Sequence, residues 1–421
     1  MKWSKHSGLV SIAALALSFS AMSAAAEPVT IRVSYSPASL KTLYETVAER
    51  FMEMYPEIEI ELEAPAASYD ELVQQTIMQS IVGQMPDISH QGLNQIRTLA
   101  DRGLAVPLND LINNDPKWDE IGVPEGTISY AAFGGETYGL PFAISVPVLY
   151  YNVDLIREAG GDPENLPTTW DDVFNLSRKI DAISPTVSGH YLEYTNNSWS
   201  FQTFLASFGG RMMSPDESQI EFNGDAGLRT LELLQDSVGH GQPALERDQA
   251  RQAFGAGTLG ILYTASSSLA GFERTASGKF EVKVGQFPVS SAAVSLPAAG
   301  NGIVMLTREP RKQEAAWQYM RFAIGEIGQR IMVETTGYTP VNVRALANPD
   351  GLGGFYNENP NYAVATESIE SMTGWYSFPG ENNSRIIRII EDYTHEVVSG
   401  TREPASALAD MTEEVAKLLP K

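Results

Sequence analysis

The side chains of this chain that could do chemistry are hydroxyls, amides and aromatic rings placed beside turns, and that set is suited to holding a polar molecule. Ser145 is a lone hydroxyl inside the uncharged run Pro141–Asn152, PFAISVPVLYYN. Ser266 and Ser267 fall where the apolar run Leu259–Tyr263 passes through Thr264–Ser268 into a helix beginning near Leu269. The free backbone N–H groups of such a turn receive oxygens or anions, while simple N-capping is the other use of the same hydroxyls. Trp199 sits in the polar segment Asn196–Ser200, with Tyr194 just before it. A tryptophan in that setting is either a stacking face or an exposed structural ring. Sugars and polyols ask for this mixture: flat aromatic faces for C–H surfaces and short donors and acceptors for hydroxyls.

Catalytic patterns are absent from the same inventory. There is no Gly-x-Ser-x-Gly elbow, no His-Glu-x-x-His, no Gly-rich phosphate loop with Lys-Ser/Thr and no calcium-loop spacing. His190 and Glu193 are three apart, which alone is a poor metal site, and the five histidines are not clustered. With no cysteine, disulfide frameworks, thiolate metal sites and a lipid-modified cysteine are excluded. No cofactor and no metal site is read. The abundant Asp and Glu could supply the carboxylate pair of a secreted glycoside hydrolase, which stands as one alternative. A surface adhesin is another, opposed by the lack of repeats and long apolar runs.

These groups must be positioned by a sizeable core. At 421 residues and 43% hydrophobic content the chain is long enough for two or three domains. Its formal charge of −23 argues against nucleic acid and anionic lipid as partners. Lys2 and Lys5, the apolar Leu9–Met22 and Ala24–Ala26 read as a secretory leader cleaved near Ala26, leaving a soluble exported chain with no membrane insertion.

Beyond the leader, strand and helix patterns alternate. Val29–Tyr35 reads as a strand, and Leu40, Leu43, Tyr44, Val47, Ala48, Phe51 and Met54 fall at helical spacing. Glu57–Glu63 alternates strictly, Tyr69–Ser80 gives another helix face, and Pro86–Ile88 a short strand. Pro141–Asn152 reads as one buried strand followed by a helix from Val153. Thr169 caps a helix with the apolar face Trp170, Val173, Phe174 and Ile180; Gln313–Ile331 reads as one long helix, and Ile386–Val397 as another. This is α/β architecture.

Several segments carry a family likeness: Pro147–Asn152, Thr264–Ala270, Thr335–Pro340, Phe355–Pro360, and Ser399–Arg402 before a last helix. In that order and spacing the chain resembles the periplasmic solute-binding proteins of carbohydrate-type ABC importers, extracellular solute-binding protein family 1, in their glycerol-3-phosphate-binding branch. The resemblance implies an α/β, two-lobed periplasmic-binding-protein fold of type II, maltose-binding-protein-like, with ligand in the cleft between lobes. It implies crossings near Ala143–Ser145, near Pro297–Gly300 and just after Tyr338–Pro340. One lobe would be 27–143 with 298–340, the other 144–297 with 341–421.

The resemblance also implies cleft residues. Tyr69 and Tyr338 match cleft tyrosines, Gly300 a cleft glycine with Asn301 beside it, and Trp199 a stacking tryptophan with Tyr194 on the same wall; Ser266 and Ser267 become ligand contacts. Core or surface packing for Tyr69, and a tight turn for Gly300, are the competing uses. Ala143, Ile144 and Ser145 keep one hydroxyl where the branch has more. Gln91 or Asn94 stands where it has a glutamate, and Ile387 where it has an arginine. Arg385, nearby, is either a fork for a phosphate, sulfonate or carboxylate or a solvated surface side chain. The resulting expectation is a non-catalytic, monomeric periplasmic receptor that captures a small polyhydroxylated solute, neutral or anionic, and delivers it to an inner-membrane ABC permease.

Overall fold

The computed structural model describes residues 28–420 except 197, 292, 368, 370 and 371, together with residues 1 and 3; the apolar run read as a leader and the cleavage expected near Ala26 lie outside the described residues. The strands, in chain order, are β1 Val29–Ser34, β2 Ile58–Leu62, β3 Ile88–Gly92, β4 Ala132–Phe133, β5 Glu136–Thr137, β6 Leu140–Ser145, β7 Pro147–Asn152, β8 Ser188–Leu192, β9 Leu259–Ala265, β10 Val282–Gln286, β11 Ala299–Met305 and β12 Thr339–Pro340. They form a six-stranded sheet in the order β12-β6-β11-β3-β1-β2, a four-stranded sheet in the order β10-β7-β9-β8, and the small β4-β5 hairpin.

Local chemistry accounts for the elements. In β2 the isoleucines point inward and the glutamates outward, as strict alternation requires. Helix Lys41–Met54 buries Leu43, Tyr44, Val47, Ala48 and Phe51 on one face. Ser68 caps helix Tyr69–Ile81 by accepting the Glu71 N–H at 3.1 Å, with Asp70 and Glu71 favourably placed in the first turn. Thr169 caps Trp170–Asp181 in the same way, accepting the Asp172 N–H at 3.2 Å.

Four sequence expectations need correction. Pro141–Asn152 is two strands, not one. Ser145 pairs with Ala299 in the first sheet, Pro147 pairs with Ala265 in the second, and Val146 alone lies between. The strand expected at Pro86–Ile88 starts later and runs further, as β3; Asp87 lies just before it, its carboxylate accepting the Arg32 backbone N–H at 2.9 Å and meeting Lys312 at 3.0 Å. The helix expected over Gln313–Ile331 is two, Pro310–Ile324 and Glu326–Thr335, parted at Gly325, whose ψ of 173° is extended. Finally, Val341, Ala345, Leu352 and Tyr356 are buried in the core of the first sheet. The chain therefore stays on that side for longer than a crossing right after Pro340 implies. It returns with helix Pro360–Thr366, where Asn361 accepts the Val284 N–H of β10 at 3.1 Å.

The core of the first sheet is built on Val33, Ile88, Phe142, Ile303 and Met305, and that of the second on Leu149, Tyr150, Ile261 and Tyr263. A third cluster joins helices Asp225–Val238, Asn383–Val398 and Pro404–Ala416 through Leu231, Ile386, Ile390 and Met411. Between the two sheets lies an open cleft.

Candidate ligand-binding site

The opening is a cleft of about 780 Å³ lined from both sides. The parallel strands β8 and β9 both end at it, delivering Glu193 from the first and Ser267 and Ser268 from beyond the second. The mouth of an α/β sheet at its strand C-termini is where such folds hold ligands. Ser145 enters from the junction of β6 and β7, and Gly300 from the start of β11.

Each wall is built by specific contacts. Tyr69 opens its helix, and its ring packs on Gly92, where an added Cβ would meet the Tyr69 Cγ at 2.8 Å. The Tyr69 hydroxyl accepts from Asn301 Nδ2 at 3.2 Å and lies 3.5 Å from the Tyr338 hydroxyl. Burial raises the Tyr338 pKa, opposed by hydrogen bonds with Tyr69 and Ser267 and by the charges of Arg251 and Arg247. Trp199 is 2% exposed; its indole N–H donates to the Pro297 carbonyl at 2.9 Å and its ring stacks on Tyr263. Gly300 has φ +109°, and a Cβ there would lie 1.9 Å from the Ala143 carbonyl oxygen. Glycine is required by backbone geometry, and the same position lines the cleft.

Tyr69, Ser145, Trp199, Ser267, Gly300 and Tyr338 are thus brought together around one space. Three other sequence candidates lie behind its surface. Ser266 Oγ accepts the Val146 N–H at 3.1 Å and ties the two crossing strands instead of facing solute. Asn301 is fully buried and orients Tyr69. Gln91 is fully buried and donates to Ser89 and Thr76 at 2.9 and 3.2 Å. Two more are elsewhere. Tyr194 meets His395 Nδ1 at 3.2 Å, outside the cleft lining. Arg385 is exposed, because Ile386, Ile387 and Ile390 take the buried face of its helix.

Sequence reasoning missed the charged part of the site. Arg247 and Arg251, one turn apart on helix Arg247–Ala256, flank Glu193, whose carboxylate is almost fully buried. Arg247 Nε lies 2.7 Å and Arg251 Nη2 2.9 Å from it, and Arg251 also donates to Thr264 Oγ1 at 2.8 Å. Burial alone would raise the Glu193 pKa, but the two guanidinium groups hold it below the ordinary carboxylate value. The i, i+4 spacing of two arginines was the available signal. Trp375 also lines the cleft unforeseen, and its buried indole N–H has no partner among the described residues.

Known proteins resemble this chain in sequence and in fold. A binding protein of Brucella abortus (strain 2308) is 24% identical over 96% of this chain and 97% of its own. The sn-glycerol-3-phosphate-binding periplasmic protein UgpB of Shigella flexneri serotype 5b is 26% identical over 68% of each chain. The crystal structure of UgpB from Mycobacterium tuberculosis in complex with glycerophosphocholine superposes with TM-score 0.80 at 21% identity, covering 93% of this chain and 98% of that one. The GacH receptor of Streptomyces glaucescens, solved unliganded and with acarbose, gives TM-score 0.80 at 17% identity and the same coverage. At such identities the structures establish the fold, the two-lobed maltose-binding-protein-like architecture. The family model that describes bacterial extracellular solute-binding proteins matches residues 46–364, more than half of the sequence, and the chain belongs to that family.

Proposed function

We propose that this protein is the periplasmic receptor of an ABC importer: it captures a small polyhydroxylated solute between its lobes and presents it to an inner-membrane permease. One observation carries the reading. Aromatic and hydroxyl groups from both sheets converge on a single cleft, Tyr69 and Tyr338 from one side, Trp199 and Ser267 from the other. Contacts made by both lobes are complete only when the lobes close, so solute shifts the open–closed balance. The relatives named above, which bind sn-glycerol 3-phosphate, glycerophosphocholine or acarbose, support a sugar, polyol or glycerol-phosphate type of solute.

In this reading the receptor is a monomer, holds no cofactor, does no chemistry on its solute and has lost its leader near Ala26. The lobes follow the expected division, 27–143 with 298–340 and 144–297 with 341–421, except that residues 341–358 go with the first, on whose core Val341, Ala345, Leu352 and Tyr356 pack. Thermal unfolding against sugars, polyols and glycerophosphodiesters, with product analysis of each mixture, tests it. A receptor gains about 2.7 kcal/mol at a hundredfold excess over Kd and returns its solute unchanged. Consumption of a compound would identify a glycoside hydrolase instead, and indifference to every compound a scaffold.

A further inference from the structure

Resting on the solute-capture reading, we propose that the solute carries an anionic group, a phosphate, sulfonate or carboxylate, and that Arg247 and Arg251 on the second lobe receive it. The first support is charge. The charged side chains of the cleft lining are the cations Arg247, Arg251, Arg274 and Lys279 and the single anion Glu193. In a chain of formal charge −23 this is a local reversal of sign at the cleft where a solute would sit. Low-dielectric walls lined by one sign of charge concentrate ions of the opposite sign.

The second support is geometry. Glu193, 2% exposed at its side chain, is engaged by both arginines, although a single guanidinium would balance its charge. Arg251 is fixed by Glu193 and Thr264 through Nε and Nη2. Its Nη1 and both terminal nitrogens of Arg247 make no hydrogen bond among the described residues. The side chains keep 28% and 42% of their exposure, so donors remain open toward the cleft. The Arg251 fork, oriented on the buried carboxylate, and the Arg247 guanidinium paired beside it offer donors to a planar or tetrahedral oxyanion. Both charges reach Tyr338 on the opposite wall.

The third support is the consequence of closure. If a neutral sugar filled the cleft, closing the lobes would desolvate one guanidinium charge with no counterion. An anionic solute supplies the missing charge, and the Trp375 indole N–H offers one more donor on the same lining. Arg385, the cation that sequence reasoning offered for this role, is exposed and outside the lining.

The test is capture from a protein-free small-molecule extract of bacterial cells by the immobilised leader-free protein, mass spectrometry of what is released, and calorimetry with the identified compound. The proposal expects an anionic compound, and a loss of affinity of roughly tenfold or more in Arg247→Gln, the size of a lost charge-assisted hydrogen bond. The triple variant Arg247→Gln, Arg251→Gln, Glu193→Gln removes the buried charge together with its partners, so it guards against simple misfolding; it should lose the same compound while unfolding cooperatively. A retained neutral compound, or an anionic one bound equally by Arg247→Gln and the triple variant, overturns the anionic subsite and leaves the receptor reading standing. Failure of the wild type to retain any compound overturns the receptor reading, and the subsite with it.

Discussion

Trp199 is held from two directions: its indole N–H is tied to the carbonyl of Pro297 and its ring lies on Tyr263. A ring so fixed presents a preformed wall, which lowers the ordering cost of binding. Trp199→Ala is therefore expected to abolish the thermal stabilisation given by any solute that stabilises the wild type, while unfolding remains cooperative. Tyr338→Phe keeps the ring and removes one hydroxyl, so its effect should be about 1 kcal/mol, roughly fivefold in affinity. Calorimetric titration of the two variants separates these outcomes, and wild-type affinity in both would take the residues out of the site. At this scale the sequence was informative where a residue stood inside a recognisable segment, as Tyr338 does within Thr336–Pro340. It was uninformative for Arg247 and Arg251, because charges at i, i+4 read equally as a solvated helix face. Only the chain fold brings Glu193 between them.

The elements set where those residues stand. The β6–β7 change of sheet turns on Val146, whose N–H is taken by Ser266 Oγ and whose carbonyl accepts the Ser266 N–H at 2.9 Å. Pro147 follows this point directly, but the uncharged, β-branched and aromatic composition on both sides makes Pro141–Asn152 look continuous. Gly325 breaks a helical pattern whose apolar periodicity runs on past it, and periodicity alone does not register the break. Strands with polar interiors were also poorly legible: in β3, Ser89, His90 and Gln91 are all fully buried, a pattern that hydropathy assigns to loops. At the second crossing Gly300 is pressed against Ala143, and Gly300→Ala is expected to destabilise by about 2–5 kcal/mol through strain and overpacking. Gly400→Ala is the control: φ is also positive there, +71°, but nothing lies within 4 Å of the added Cβ, so about 1–2 kcal/mol is expected. Urea midpoints measure both, and equal shifts would mean that the contact with Ala143 carries no energy.

For the whole molecule, two sheets share one chain through the junction at Val146, the passage from β10 to β11 and the return at helix Pro360–Thr366. Between them lies a cleft whose two walls hold different groups, tyrosines on one side and the Trp199, serine and arginine groups on the other. This division gives closure its meaning: a solute touching only one wall gains nothing from it, and a solute touching both must favour the closed state. Small-angle X-ray scattering of the leader-free protein, alone and saturated with a solute that stabilises it, measures this most directly. The account predicts a smaller radius of gyration with solute bound, and that Trp199→Ala under the same conditions keeps the profile of the solute-free protein. Superimposable wild-type profiles with and without saturating solute would contradict it.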